Sequence, residues 1–294
     1  MNIALTGATG SIGRDLKPFL ESLGHSIISI SSSLPANRQS IFSYTDLVTK
    51  KISCKVDAFI HLASLNSNLK KKDIDKEVEL TRVILNAMQS LDCSKLIFFS
   101  TAKIYGDNAF SNICFSESSV VNPTCPYSEA KKNCEDLIKL KSAELTLDST
   151  ILRLPPVLGQ ADASNLGKLI RLAKSGAFIP TFSCGDTNSR SFISVINIKE
   201  VIRILLEAQH PSKHNIYNLA DDHHISLNSL LRIYGDQRII VLPALVEKLI
   251  FKISFFQRIL LKLYGSFVIE NDKLKNDLGV KLCSSQQAAL LNKL

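Results

Sequence analysis

Tyr127 and Lys131 stand four residues apart in the segment Tyr127-Ser128-Glu129-Ala130-Lys131. On a helix that spacing is just over one turn, so phenol and ammonium would share a face. A cation beside a phenol favours the phenolate and lowers its pKa from about 10, which yields a proton donor and acceptor usable near neutral pH. The same spacing recurs on many solvated helices, so the pair takes its meaning from what the chain builds around it.

A second chemical element lies at the N-terminus. Gly7-Ala8-Thr9-Gly10-Ser11-Ile12-Gly13 falls between a short apolar strand, Ile3-Ala4-Leu5, and a helix with Ile12, Leu16, Phe19, Leu20 and Leu23 at helical spacing. Glycines in such a turn let backbone amides and the helix N-terminus approach a pyrophosphate. Gly7, Thr9, Gly10, Ser11, Ile12 and Gly13 are therefore expected to bind a dinucleotide. The next strand, Ser26 to Ile30, ends where an Asp or Glu would bond the 2′-hydroxyl of NAD. Ser31-Ser32-Ser33 stand there instead, with Arg38 beyond. Ser31 and Arg38 thus tilt the expected cofactor towards NADP, with NAD as the alternative.

The elements that must position these groups alternate. A third strand, Ala58-Phe59-Ile60, runs into His61-Leu62-Ala63-Ser64, and a helix from about Asp73 to Leu91 follows. A fourth strand, Lys95 to Phe99, delivers Ser100, Thr101, Ala102 and Lys103. Hydroxyls at the carboxyl end of a parallel strand sit where open α/β sheets bind ligands. A helix from Ser128 to Glu144, a strand from Ser149 to Leu154 and the turn Pro155-Pro156 complete the series. The alternation predicts right-handed crossovers and a parallel sheet.

Beyond residue 155 or so the rhythm changes. Helices are expected at 165–175 and 199–208, a loop at Gly176 to Pro180 and strand-like segments at Arg190 to Val195 and Asn215 to Leu219, with Ser226 capping a further helix. The stretch from Ile239 to Tyr264 is the most apolar, interrupted by Lys248, Lys252, Arg258 and Lys262. It reads as a core-packed helix with snorkelling lysines in preference to an interfacial membrane helix. The expected organisation is α/β: a Rossmann-type doubly wound parallel sheet over residues 1–160, joined by roughly 189–210, and a smaller, mostly helical, discontinuous substrate-binding region over 161–294.

Composition narrows the classes of partner. The 35 Lys+Arg against 27 Asp+Glu give +8, which suits an anionic small ligand, an anionic surface or nucleic acid. No dense basic tract with interleaved aromatics is present, so nucleic acid is the weakest of the three. The seven cysteines form no C-x-x-C pair, which argues against a disulfide framework or a zinc site and for thiols in a reducing cytosol. No metal is expected. The chain opens directly on a strand-like segment and contains no long uncharged apolar run, so neither a signal peptide nor a membrane span is expected and the location is read as cytoplasmic. Weak peripheral association through Ile239 to Tyr264 is the alternative.

Taken together, the glycine turn, His61-Leu62-Ala63, Phe99 to Gly106, Tyr127 to Lys131, Leu152-Arg153 with Pro155-Pro156, Asn165-Leu166, Arg190-Ser191-Phe192 and Lys273 to Gly279 are in the order seen in one family. The chain resembles the extended short-chain dehydrogenase/reductases, the NAD(P)-dependent nucleotide-sugar epimerases, dehydratases and reductases. The resemblance implies that Thr101, Tyr127 and Lys131 are catalytic. It implies cofactor contacts from Leu62, Ala63, Ser64, Ser100, Pro155 and Pro156 beside the glycine turn, with Tyr127 and Lys131 at the nicotinamide end. It assigns Thr101, Lys103, Asn165 and Arg190 to a UDP-sugar, and the family's habit of pairing two long helices implies a homodimer. Ala102 and Lys103 stand where 4,6-dehydratases carry an Asp-Glu pair, which disfavours dehydration. The expected activity is reduction of the 4-keto group of a UDP-4-keto-6-deoxy-hexosamine for surface-polysaccharide synthesis. The alternatives are a 4-epimerase with tightly bound NAD and a catalytically inactive dinucleotide-binding regulator.

Overall fold

The structure, a computed structural model, describes residues 1–32, 41–65, 69–109, 111, 113–158, 165–208, 214–235, 239–243, 250 and 260–291, without the side chain of Asn165. Two compact units form. The first comprises Met1–Gly106, Val120–Leu154 and Lys199–Tyr217, and the second Asp107–Ser119, Pro155–Ile198 and Asn218–Leu294.

The first unit is a seven-stranded sheet. Its strands are β1 (Asn2–Thr6), β2 (Ser26–Ser31), β3 (Ile41–Ser43), β4 (Ala58–His61), β5 (Lys95–Thr101), β7 (Asp148–Leu154) and β11 (His214–Asn218), a short β6 (Cys114–Phe115) belonging to the second unit. The spatial order is β11-β7-β5-β4-β1-β2-β3, and β1 pairs in parallel with both β2 and β4. The strands read as continuous apolar runs because a parallel sheet is covered on both faces; Ile3, Ala4 and Leu5 are all 0% exposed. The chain leaves β1 for β2 on one side and returns to β4 on the other, so the carboxyl ends of β1 and β4 flank the switch point where such sheets bind ligands.

Helices α1 (Gly13–Ser22), α2 (Tyr44–Val48), α3 (Ile74–Ser90), α4 (Pro126–Leu145) and α7 (Val195–Glu207) accompany these strands. The predicted strands and helices up to residue 154 all form, and β5 runs two residues further than expected, taking in Ser100 and Thr101. β3 and α2 were not anticipated. Ser43 starts α2 with a capping box, its hydroxyl accepting from the Asp46 amide at 3.0 Å.

The second unit has its own core, in which Leu158, Phe192, Leu227, Leu230, Leu231 and Tyr234 are buried. Short parallel strand pairs hold it, β8 (Val157–Leu158) with β10 (Ile193–Ser194) and β9 (Ile179–Thr181) with β12 (Ile239–Val241). Helices α5 (Asn165–Lys174), α6 (Cys184–Thr187) and α8 (Leu227–Gly235) pack with them, and the Ser229 amide donates to the capping Ser226 hydroxyl at 3.1 Å. Three local expectations are corrected. Ile179 and Pro180 belong to a strand because the unforeseen β12 pairs with them. Of Arg190 to Val195 only Ile193–Ser194 is strand, because Arg190 is held by isolated bridges to Ile225 and Phe267 and Val195 already opens a helix. The apolar stretch from Ile239 begins as a strand, and its lysines at 248 and 252 and Arg258 lie outside the described residues. No helix among the described residues is long and apolar enough to cross a membrane.

Candidate active site

The glycine turn sits at the carboxyl end of β1 and is closed by the Gly10 amide donating to the Gly7 carbonyl at 2.9 Å. Gly7 has φ +73°, and a Cβ there would lie 2.9 Å from the Ala63 amide nitrogen. A Cβ on Gly13 would lie 2.1 Å from the Gly7 carbonyl oxygen. The turn is therefore folded so tightly onto itself and onto the end of β4 that side chains at these positions have no room. Thr9, Gly10 and Ser11 remain exposed, and no side chain caps α1. An open helix N-terminus behind a glycine cradle fits the pyrophosphate of a dinucleotide.

A buried polar chain ties this turn to β4. The Ala63 amide donates to Thr6 Oγ1 at 3.0 Å, and Thr6 Oγ1 meets His61 Nδ1 at 2.7 Å. Burial holds the His61 pKa well down, so it serves as a neutral bridge. Leu62, Ala63 and Ser64 follow β4 at intermediate exposure, and the Ser64 hydroxyl is buried without a partner among the described residues. Ser31 ends β2, whereas Arg38 lies outside the described residues.

Thr101 is the last residue of β5 and the cap of the short 3₁₀ turn Ala102–Tyr105. Its Oγ1 accepts from the Lys103 amide at 3.3 Å, which leaves its own proton to donate, and it lies close enough to Tyr127 to lower that phenol's pKa slightly. The Lys103 side chain is exposed. Tyr127 is the second residue of α4, with Pro126 ahead of it as a preorganised first-turn residue. It packs against the buried cluster of Leu69, Ile74 and Ala130.

Lys131 is 1% exposed. Its Nζ lies 3.1 Å from Glu77 Oε1 and 4.7 Å from the centre of the Phe98 ring. Glu77 is its partner among the described residues, and an ammonium has three protons to donate. A buried donor with protons to spare one turn from the phenol fits a polar ligand group such as a ribose hydroxyl.

One expectation is reversed here: the Tyr127 pKa is raised, not lowered. Burial is the largest cause; Lys131 pulls it down, but Glu77 pushes it back up. Lys131 is itself raised: burial opposes its charge, but Glu77, joined at high pH by Tyr127 and Cys134 as they lose their protons, outweighs it. In this structure the pair is a phenol beside a paired ammonium.

Two carboxylates absent from the expected set organise the site. Glu77, 2% exposed on α3, also accepts from the Leu65 amide at 2.8 Å through its second oxygen. It lies on the helical stripe of Ile74, Thr81 and Ile84, and a carboxylate on a buried stripe needs a partner, the one signal that would have found it. Glu135, one turn beyond Lys131 on α4, accepts from the Ser100 hydroxyl at 2.5 Å and from Arg153 Nη2 at 2.7 Å. Arg153 Nη1 donates to the Tyr105 hydroxyl at 2.9 Å. Ser100 thus spends its hydroxyl on the frame joining β5, α4 and β7.

Pro155, Pro156, Asn165 and Arg190 belong to the second unit. Asn165 opens α5. Arg190 Nη1 donates to the carbonyls of Lys262 and Leu263, at 3.1 and 2.6 Å, and burial brings its pKa to about 10.

A glycine cradle at the switch point of a parallel sheet, with a Thr-Tyr-Lys set at the end of the fifth strand, defines a dinucleotide-dependent enzyme of the short-chain dehydrogenase/reductase type. The profile of the NAD dependent epimerase/dehydratase family matches residues 3–220, and the chain belongs to that family. Among individual proteins it is similar to a UDP-glucose 4-epimerase of Vibrio cholerae, 23% identical over 245 residues that span 79% of this chain and 74% of the relative. A dTDP-D-glucose 4,6-dehydratase of Dictyostelium discoideum is 26% identical over 188 residues, 58% of this chain and 43% of that one. The solved UDP-N-acetylglucosamine 4-epimerase from Bacillus cereus shares the fold, with a TM-score of 0.79 at 17% identity over 100% of this chain and 98% of that chain. The cofactor is accordingly NAD(P).

Proposed function

We propose that the chain acts at C4 of a UDP-sugar, and that it reduces a 4-keto group, as in a UDP-4-keto-6-deoxy-hexosamine. The observation that carries this reading is the placing of Tyr127 beside Thr101 and one helical turn from Lys131, partly buried so that its pKa is raised and the phenol keeps its proton. A phenol that keeps its proton through neutral pH is set to give one to a ketone oxygen. Ala102 and Lys103, in place of an acidic pair, supply no group for eliminating water.

When bound, the nicotinamide supplies the hydride. Tyr127 would protonate the sugar oxygen, and the Thr101 hydroxyl would donate a hydrogen bond that strengthens as charge develops there. Lys131 would hold the ribose and keep positive charge one turn from the phenol. Asn165 and Arg190 are assigned to the diphosphate, whose binding fixes the position of the reacting carbon. The cofactor preference is proposed as NADP, because Ser31 offers no carboxylate against a 2′-phosphate.

The relatives favour a second reading, C4 epimerisation, because several carry that activity in their names. Oxidation followed by re-reduction at the same carbon would use the same residues. The two are separated by denaturing the purified protein, identifying any nucleotide released, and supplying NADPH with a UDP-4-keto sugar. NADPH-dependent loss of the ketone by protein that releases no dinucleotide is expected. Stoichiometric release of NAD, with interconversion of C4 epimers, would overturn the reductase in favour of the epimerase.

A further inference from the structure

Lys131 has a counter-ion that its place in the sequence does not reveal. The Glu77 and Lys131 side chains are each 2% exposed, and their charged atoms lie 3.1 Å apart. The other Glu77 oxygen accepts the Leu65 amide at 2.8 Å, in the loop that leaves β4 beside the glycine turn. One carboxylate therefore joins three things: helix α3, the loop after β4 and the ammonium facing Tyr127.

We propose that Glu77 is a positioning residue of the catalytic set, which keeps Lys131 charged in a water-free pocket and fixes its Nζ between the β4 loop and Tyr127. This rests on the reading of Tyr127 and Lys131 as the acid and its partner. An ammonium taken fully out of water loses its charge unless an anion stands beside it. The groups facing Lys131 leave that task to Glu77. From β4 comes His61, neutral through burial, and from β5 the Phe98 ring, whose face gives only partial support. From α4 itself come Tyr127 and Cys134, both raised and so uncharged at neutral pH, Cys134 to about 11. Tyr44 of α2, which acts on Glu77 and not on Lys131, is at about 12 and neutral as well. Glu77 is the carboxylate paired with Lys131, and it acts in opposite senses on its two neighbours. It stabilises the ammonium while disfavouring the phenolate, and both effects suit a site that delivers a proton.

The test reads Lys131 directly, without substrate or cofactor. With lysine side chains labelled with ¹⁵N, the Lys131 Nζ resonance is assigned by its loss in Lys131→Arg and followed against pH in the full chain. Glu77→Gln keeps the length and the acceptor but removes the charge. It is expected to lower the midpoint by about one to three pH units, as for buried lysines without a partner. Glu77→Asp keeps the charge and is expected to restore at least half of that shift. A purely structural Glu77 would give neither the drop nor the rescue. A midpoint within about 0.3 units of wild type in Glu77→Gln overturns the proposal. If Glu77→Gln does not fold, Glu77→Met takes its place, since it too keeps the length and removes the charge, and an unmoved midpoint again overturns the proposal. If the midpoint shifts yet no UDP-sugar is turned over by wild type, the proposed function fails and the ion pair stands. If UDP-sugar is turned over and the midpoint is unmoved, the role of Glu77 fails and the proposed function stands.

Discussion

Glu135→Gln removes one charge from the frame that holds the end of β5 against α4, the helix that carries Tyr127 and Lys131. In the native structure the Glu135 carboxylate receives Arg153 Nη2 at 2.7 Å, Arg153 Nε at 3.2 Å and the Ser100 hydroxyl at 2.5 Å. The Arg153 and Glu135 side chains are 5% and 4% exposed, so water cannot take over when the carboxylate is lost. Removing one partner of such a buried pair costs about 3–5 kcal/mol, chiefly because the other charge stays buried and uncompensated. Each kcal/mol moves the melting temperature of a domain of this size by about 2–4 °C. A loss of about 6–20 °C is therefore expected by differential scanning calorimetry. The double variant Glu135→Leu, Arg153→Met removes both charges and is expected to recover at least half of that loss, since buried ion pairs are often replaceable by apolar side chains. A drop below about 2 °C in Glu135→Gln, or a double variant no more stable than the single one, would show that the frame is not held by this pair.

Other outcomes follow from the same geometry. Tyr127→Phe should retain the fold by circular dichroism and lose about 10²–10⁴ in kcat for the UDP-4-keto sugar; unchanged turnover would remove Tyr127 from the chemistry. Because the Tyr127 pKa is raised, its proton is present throughout the neutral range and is lost only as pH rises past the ordinary tyrosine value, so reductive kcat should stay flat to about pH 9 and fall on the alkaline side. A profile falling already between about pH 6 and 8 would contradict that environment. Gly13→Ala places a Cβ 2.1 Å from the Gly7 carbonyl oxygen and should weaken dinucleotide binding at least about tenfold by calorimetric titration, the contact being with unyielding backbone. Arg190→Lys keeps the charge but loses the planar fork, so KM for the nucleotide sugar should rise with a smaller change in kcat.

What local pattern could specify was legible in the chain. The glycines at 7, 10 and 13, between an apolar strand and an amphipathic helix, specify a turn whose physics depends on the absence of Cβ atoms, and that information is local. The alternation of strands and helices announced a parallel sheet, and the placing of Ser100 and Thr101 at the carboxyl end of one of its strands followed. Tyr127 and Lys131 share a helix, so their proximity is fixed by pitch alone. The short strand β12 was not legible, since a three-residue strand is defined by its partner more than by its own pattern.

The charge state of the Tyr127–Lys131 pair was decided by tertiary structure. The sequence offered a lysine to depress a tyrosine's pKa, and by sequence that was the whole pair. Folding brings α3 against α4 and supplies Glu77; it buries Glu77 and Lys131 fully and Tyr127 in part, and for the phenol desolvation outweighs the pull of Lys131. Arg153 and Glu135 likewise meet only because β7 and α4 pack together. The reason is general: helix pitch and strand alternation act over a few residues, whereas burial and ion pairing depend on every element that closes around a group. The sequence by itself singled out the side chains proposed for the chemistry, and the packed structure placed Tyr127 where burial favours its protonated form.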